Sequence, residues 1–433
     1  MSDNIKIYDA DSTTQYLRTT EAPTGVHTPH HHVATMPAQH VDAFSRLRTS
    51  NPGYRFDSQL TYQIDSDLWD IKETGDGDIS HDATNRMAII TAGATAGANT
   101  AILQSHYHAC YTPGRSQLAF ITFAMPGTCP TNGERGLGYF DGGNGVYFKQ
   151  TAAGNFVGIE TSTGAADQSV AQASWNIDPL DGDGPSGITL DTTKANIMVV
   201  QLQALYVGRV VVGFDIEGSL VPVHAFNHAN TLALPYIAQA SLPIRYWSST
   251  STDAASCIIH AICSSVISEG GDNLDNMSGR QFVATGTLTD ASPKVAALAI
   301  RCKAQLNSIN QNALCIPTEV DVAVATAGAW IEVRRNATIT AGSFASLDTI
   351  SVMEFSNPQS TTPLVVTADT GTLIEKIYVP AAAQSRTSDS AGLLGKALLA
   401  YSHLLTAADN LVVVIDGGNT TEAFVSVKWK EVR

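Results

Sequence analysis

The sequence predicts a mainly β protein of two β-sandwich or jelly-roll domains behind an extended N-terminal arm. Three observations predict it. Strand-length runs rich in β-branched and aromatic residues recur from about residue 54 onward with Gly, Asn and Asp turns between them. The 433 residues exceed what one hydrophobic core organises. Residues 1–50 sustain neither a period of 2 nor one of 3.6.

The arm, 1–50, holds Pro23, Pro29 and Pro37 among many Thr and His residues. Fully stretched, it could reach on the order of 150 Å, enough to cross a neighbouring subunit. The plainer alternative is a disordered tail.

The first domain is expected over 51–270. Ser116 to Ala124 reads as a strand, and Tyr139 to Phe148 reads as a hairpin whose Asn144-Gly145 supplies positive φ. Asn196 to Ala204 is apolar enough to be buried on both faces. Gly208 to Phe214 and Leu220 to Phe226 flank a second hairpin turn, and Cys257 to Ile267 is a further strand. Ser268-Glu269-Gly270-Gly271-Asp272-Asn273 has the composition of a linker. A second domain over 271–433 repeats the pattern at Lys294 to Arg301, Glu319 to Val324, Ala329 to Val333, Ile374 to Val379, Leu411 to Ile415 and Ala423 to Trp429. Asp416 to Asn419 reads as a hairpin turn joining the last two, and Ser390 to Leu405 as a short helix.

Composition narrows function. A hydrophobic share of 44% supplies real cores, so wholesale disorder is excluded. Charged residues are only 15%, with 25 Lys plus Arg against 40 Asp plus Glu and a net charge of −15. General attraction to nucleic acid or an anionic membrane is therefore not expected. The N-terminal residues lack a signal layout and no stretch approaches a membrane span, so a soluble protein made in the cytoplasm is expected. Six dispersed cysteines without a C-x-x-C pair read as buried free thiols rather than disulfides or a zinc site.

Several segments resemble structural proteins of tailed-bacteriophage virions. They are Tyr54-Arg55-Phe56-Asp57 after Arg48-Thr49-Ser50-Asn51-Pro52, the block from Gly114-Arg115-Ser116-Gln117 through Ala173 to Gly187 and on to His224 to Asn230, and the closing Val427-Lys428-Trp429-Lys430-Glu431. The likeness is to minor structural, tail, neck or capsid-attached fibre proteins with a lectin-like, concanavalin A-type sandwich, and it covers roughly the first 270 residues. It implies a virion protein synthesised in the host bacterium, with other virion proteins as partners. Homo-oligomers of three-fold or other cyclic symmetry are the default for such an appendage.

Candidate chemistry is sparse. His27, Pro29 and Pro37 mark the assembly arm, and its His30, His31 and His32 could ligate zinc or nickel between symmetry-related copies, although no Cys or carboxylate supports them. Asp178, Asp181, Asp183 and Asp191 crowd a Gly-rich loop that could hold calcium. The EF-hand pattern fails there, and local hydrogen bonds to turn backbone are the alternative. Trp175, with Tyr139 or Trp247, could stack on a sugar of a host surface glycan while Asn176, Asp181 and Asp183 bond its hydroxyls. The competing reading puts those aromatics in the core. His106 and His108 share a strand face, as do metal ligands or acid/base pairs, but no carboxylate pattern accompanies them. His224 and His228 read as polar packing beside Phe226. No G-x-S-x-G, H-E-x-x-H, phosphate-binding loop or β-helix repeat is present, so a non-enzymatic protein without a cofactor is expected, calcium aside.

Overall fold

The computed structural model describes residues 52–433 except 96, 204, 252–254, 270–279, 289–293, 326, 381–384, 389–396 and 418–421, together with the backbone of four short N-terminal strands. Those strands pair locally, Ile5–Tyr8 with Thr14–Leu17 and Thr19–Glu21 with His27–Pro29. The described stretches of the arm therefore fold back into two small hairpins instead of running straight. The remainder of the arm lies outside the described residues.

From Gly53 on, the elements are strands, with one three-residue 3-10 turn, Gln172–Ser174, among the described residues. The first sandwich stacks two antiparallel sheets. One runs in the order Ser219–Phe226, Val210–Ile216, Asn196–Leu202, Gln117–Ala124, Cys257–Ser268, Met87–Ala92, Gly77–Asp82, with Gly53–Gln59 pairing the end of Cys257–Ser268. The other runs Gln168–Ala171, Gly154–Glu160, Gly145–Thr151, Gly133–Phe140, Ile244–Thr250, Asn99–Ser105, Trp69–Thr74. Period-2 alternation sends Leu103, Leu137, Phe148 and Tyr246 of this sheet inward against Ile90, Ile121, Phe123, Val200 and Phe214 of the first. Asn196–Leu202 is buried on both faces from Met198 onward, as its mostly apolar run predicts.

The Tyr139 to Phe148 hairpin forms with Phe140 opposite Gly145. Gly142 and Gly145, not Asn144, take the positive φ, because Asp141 Oδ1 ties down the Gly143 and Asn144 amides and turns the chain one residue earlier. The expected linker begins inside the sandwich. Ser268 ends a strand and Glu269 is buried, its carboxylate accepting from Ser116 Oγ, while 270–273 lie outside the described residues. Five cysteines are buried, but Cys263 is exposed because it points to the outer face of its strand.

A second core gathers residues from Ala284 to Trp429 between two more antiparallel sheets. The four-stranded sheet runs Arg280–Leu288, Ala423–Val432, Leu314–Val324, Ser385–Ser388, and the six-stranded sheet runs Ala345–Ser346, Met353–Ser356, Val295–Cys302, Asn410–Gly417, Ala329–Arg335, Thr372–Val379. Two expectations fail here. Asn410–Gly417 and Ala423–Val432 are not hairpin partners but belong to opposite sheets, because each apolar strand is buried between two neighbours of its own sheet. Ser390 to Leu405 contains no helix among its described residues 397–405. Leu399 bridges to Cys315, and Tyr401–Ser402 pairs with Ala407–Ala408.

The two sandwiches meet through a small apolar contact of Tyr107 and Cys110 with Leu314, Ala400 and Val432. Beside it lies a buried polar network. His106 Nδ1 lies 2.8 Å from Asp70 Oδ1 and Nε2 2.8 Å from Asp409 Oδ2. Carboxylate oxygens only accept, so both ring nitrogens must carry hydrogen and the imidazole is charged. Burial disfavours that charge, but the hydrogen bonds to Asp409 and Asp70 outweigh it and raise the His106 pKa to about 9. Asp409 also accepts from Arg335, Asn336 Nδ2 and the Ala400 amide, while Ser402 Oγ donates to Asp70 and Arg335 donates to Tyr107 Oη.

Removing one partner strands the others as buried charges. We therefore expect Asp409→Ala to cost about 3–5 kcal/mol in denaturant unfolding. Loss of under about 1 kcal/mol would refute the bridge. A raised histidine contributes stability that is complete below its unfolded value near 6.5 and is lost as pH climbs through about 9. Thermal scans should show the melting temperature falling across pH 6.5 to 9, with that slope flattened in His106→Gln.

Candidate functional site

Most residues singled out in the sequence turn out to be structural. Trp175 is 5% exposed, stacks on Phe214 and donates its Nε1–H to the Val170 carbonyl, so it cannot platform a sugar. Tyr139 is equally interior, its hydroxyl donating to the Ala109 carbonyl. The core outcompetes the surface for both because each buries a large apolar body while still satisfying its polar tip. Asn176 pairs through both amide atoms with Ala225 backbone, which fixes the loop to the Ser219–Phe226 strand.

The aspartate loop is held together by its own backbone. Asp178 accepts the Leu180 and Ser186 amides. Burial would raise its pKa, but these bonds outweigh that and hold it below the usual carboxylate range. Asp181 is exposed and caps the Asp183 amide, and Asp191 caps Thr193. Asp183 is exposed, and no side-chain contact of it carries a site. Among the described residues, no three His, Cys, Asp or Glu side chains gather as a metal would need. His27 and Pro29 are described only as strand backbone, and His30, His31, His32 and Pro37 lie outside the described residues. His224 accepts the Asn176 amide, and His228 stacks on Tyr236 at 3.9 Å.

What the fold assembles instead is a groove on the outer face of the seven-stranded sheet. Alternation turns Gln104, Glu134, Tyr147, Lys149, Arg245 and Trp247 outward on four adjacent strands. Gly136 makes the floor low, since a Cβ there would meet Trp247 at 2.3 Å. At this end a hollow of ≈ 190 Å³ is walled by Phe140, Tyr147 and Trp247 and rimmed by Glu134, Glu160 and Lys149. The rings are largely covered, with Lys149 5.4 Å from the Tyr147 centroid and Arg245 5.6 Å from that of Phe140.

Through Ile102, Gly142 and Arg245 this hollow opens into a larger one of ≈ 660 Å³ between the sandwiches. One wall comes from the first sandwich, with Lys72, His108, Asp141 and Asn144. The other comes from the second, with Ile309, Asn310, Asn312 and His403. The second wall is a hairpin, Gln305–Leu306 with Ile309–Asn310, whose turn residues Asn307 and Ser308 both take positive φ as a two-residue primed turn requires. Gln239 Nε2 holds it by donating to the Asn310 carbonyl at 2.7 Å. Past the hairpin the groove continues into a mostly apolar cleft of ≈ 290 Å³ lined by Tyr206, Ala240, Leu306 and Val352.

Electrostatics differ along the groove. Glu134 is spent, accepting from Trp247 Nε1 and Lys149 Nζ. Burial, then Asp167, raises the Glu160 pKa. Burial, followed by the fields of His403, His106 and Arg245, depresses His108 to about 3, so its imidazole is neutral. Arg245, lowered by burial to about 10, stays a cation.

Sequence reading passed over Arg245 and the 305–310 hairpin. The signals were present. Arg245 is a lone charge in a strand-forming run, and Asn307-Ser308 lies between apolar residues as a turn would.

No protein family and no curated protein sequence matches this chain. Solved structures that align include a β-1,3-1,4-glucanase (lichenase) from a mouse hindgut metagenome, at 11% identity over 49% of this chain and 97% of its own, with a TM-score of 0.34. The carbohydrate esterase vb_24B_21 of the Shiga toxin-encoding bacteriophage phi24B aligns at 12% identity over 50% and 99%, TM-score 0.31. A seed lectin of Lotus tetragonolobus aligns at 10% over 50% and 99%, TM-score 0.31. Similarity at this level is no evidence of function.

The Asp178 geometry makes a direct prediction. Asp178→Ala should cost about 2 kcal/mol through two lost amide bonds, equally with calcium and with chelator. A calcium-dependent rise of several degrees in the wild-type melting temperature would overturn the backbone role.

Proposed function

We propose that the chain is a non-enzymatic binding and building unit of a bacteriophage particle, and that the groove holds a glycan of the host surface. The observation that carries the binding reading is the continuity of the groove. Three hollows join across both sandwiches, with amide, hydroxyl-accepting carboxylate and cationic groups along the walls and apolar patches between them. That mixture suits an extended chain of sugar rings, each with one apolar face and a hydroxyl edge. The site's width comes from the second sandwich, so neither unit binds in this way alone.

A non-catalytic role is supported by the carboxylates. Glycoside hydrolysis needs two free acids flanking the bond; Glu134 already serves Trp247 and Lys149 and Asp141 Oδ1 already accepts the Gly143 and Asn144 amides, which leaves Glu160 alone among the three carboxylates of the groove. The virion part of the reading is supported by the resemblance of the 48–57, 114–187 and 224–230 segments. Assembly with other particle proteins and with further copies is supported by apolar residues on outer faces of the second sandwich, Trp330 against Tyr378 at 46% and 47% exposure and Phe424 at 48%.

On an array of bacterial surface glycans, the full chain should retain at least one series. Ile309→Glu, at the exposed hairpin tip, should weaken that retention about tenfold, close to 1.4 kcal/mol. The bound polysaccharide should keep its chain length after prolonged incubation. Shortened products would overturn the non-enzymatic reading, and retention of no glycan would overturn the binding reading. Light scattering that showed only single copies would remove self-assembly.

A further inference from the structure

We propose that the middle of the groove is a carboxylate subsite, with Arg245 as its fork, so that the glycan bound there is an acidic one carrying a uronic-type carboxyl. This rests on the reading of the groove as a glycan site and names the class of sugar.

Unspent positive charge carries the inference. Acids outnumber cations 40 to 25 in this chain, and several cations have found them, whereas buried Arg135 spends its donors on Gln150 and backbone carbonyls. Lys149, Lys294, Arg334 and Arg335 each lie within 4.0 Å of a carboxylate. Arg245, half-buried in the ≈ 660 Å³ hollow, has no such partner among the described residues, and the exposed Lys72 shares the hollow with it. The Arg245 side chain donates from Nε to Gln104 Oε1 at 2.8 Å, which fixes the plane of the guanidinium and leaves both terminal NH2 groups for a ligand. A guanidinium held by one edge is a preorganised bidentate receptor for a planar carboxylate.

Two further features fit the same ligand. His108 lines the hollow at 5% exposure with no side-chain hydrogen bond among the described residues. An unpartnered polar ring at that depth is costly unless a ligand or water completes it. Asp141 and Glu160 are near enough to act on Arg245 electrostatically, but neither reaches ion-pair distance. Carboxylates there can accept sugar hydroxyls, while the fork takes the sugar's own carboxyl. Gly142 permits the arrangement, because a Cβ at its φ of +98° would lie 2.2 Å from Arg245 Nη1. The net charge of −15 opposes any diffuse attraction of a polyanion, so retention of an acidic glycan would have to come from this local site.

The test uses the full chain on an array in which each acidic oligosaccharide is paired with its carboxyl-reduced counterpart. Wild-type protein should prefer the acid form by about tenfold or more. Arg245→Gln should abolish the preference, and Gly142→Ala, which displaces the fork from the loop side, should reduce it. The acid-against-reduced comparison needs no variant, so it decides the matter even where Arg245→Gln fails to fold. Equal retention of both forms, or a preference that survives in folded Arg245→Gln, overturns the carboxylate subsite and leaves the glycan groove standing. Retention of neither form, nor of any neutral glycan, overturns both.

Discussion

The charged imidazole of His106, clamped between Asp70 of one sandwich and Asp409 of the other, is the contact on which the rest of this structure depends. The apolar contact beside it is small, and alone it would allow the sandwiches to rock. A buried ion triad behaves differently. Each member has lost its water, at a cost of several kcal/mol per ion, and recovers that only in one geometry. Specificity of orientation, more than net stability, is what such a network contributes. Arg335, Asn336 and Ser402 extend it, so several strand ends of the second sandwich are indexed against the Trp69–Thr74 and Asn99–Ser105 strands of the first.

That indexing places the 305–310 hairpin over the outer face of the seven-stranded sheet. A sheet face alone is an open surface. With the hairpin opposite, the same face becomes one wall of a groove in which His108 is buried without a side-chain hydrogen bond among the described residues and Arg245 is held through Nε by Gln104 with no carboxylate at ion-pair distance. The network and the groove thus use charge in opposite ways. Around His106 each charge is answered by an opposite charge of the protein, although Arg335 Nε stands without a hydrogen-bond partner. Around Arg245 the answers are withheld.

Much of the fold could be read from the sequence, because strand formation is a local matter. The runs at 116–124, 196–204, 294–301 and 411–415 announce themselves by β-branched content and alternation, and the structure makes strands at each. Partnership was another matter. Asp416 to Asn419 has hairpin composition, yet its flanking strands join opposite sheets. Turn composition reports only that the chain reverses or bends, whereas sheet membership is decided by which core face each strand can cover. Trp175 and Tyr139 failed as surface candidates for a related reason, since residue type does not say whether a ring faces the inside or the outside of its sheet. His106 looked unaccompanied because its carboxylates stand 36 and 303 residues away.

By itself, then, the sequence determined the β character of this protein, its strand segments, and a surface low in charge and negative overall. All of these follow from composition and from periodicities no longer than a strand. The tertiary structure decided the pairing of sheets, the charge state of His106 and the existence of the groove. Each of those arises from side chains brought together across long stretches of chain, where desolvation makes an answered charge rigid and an unanswered one available to bind.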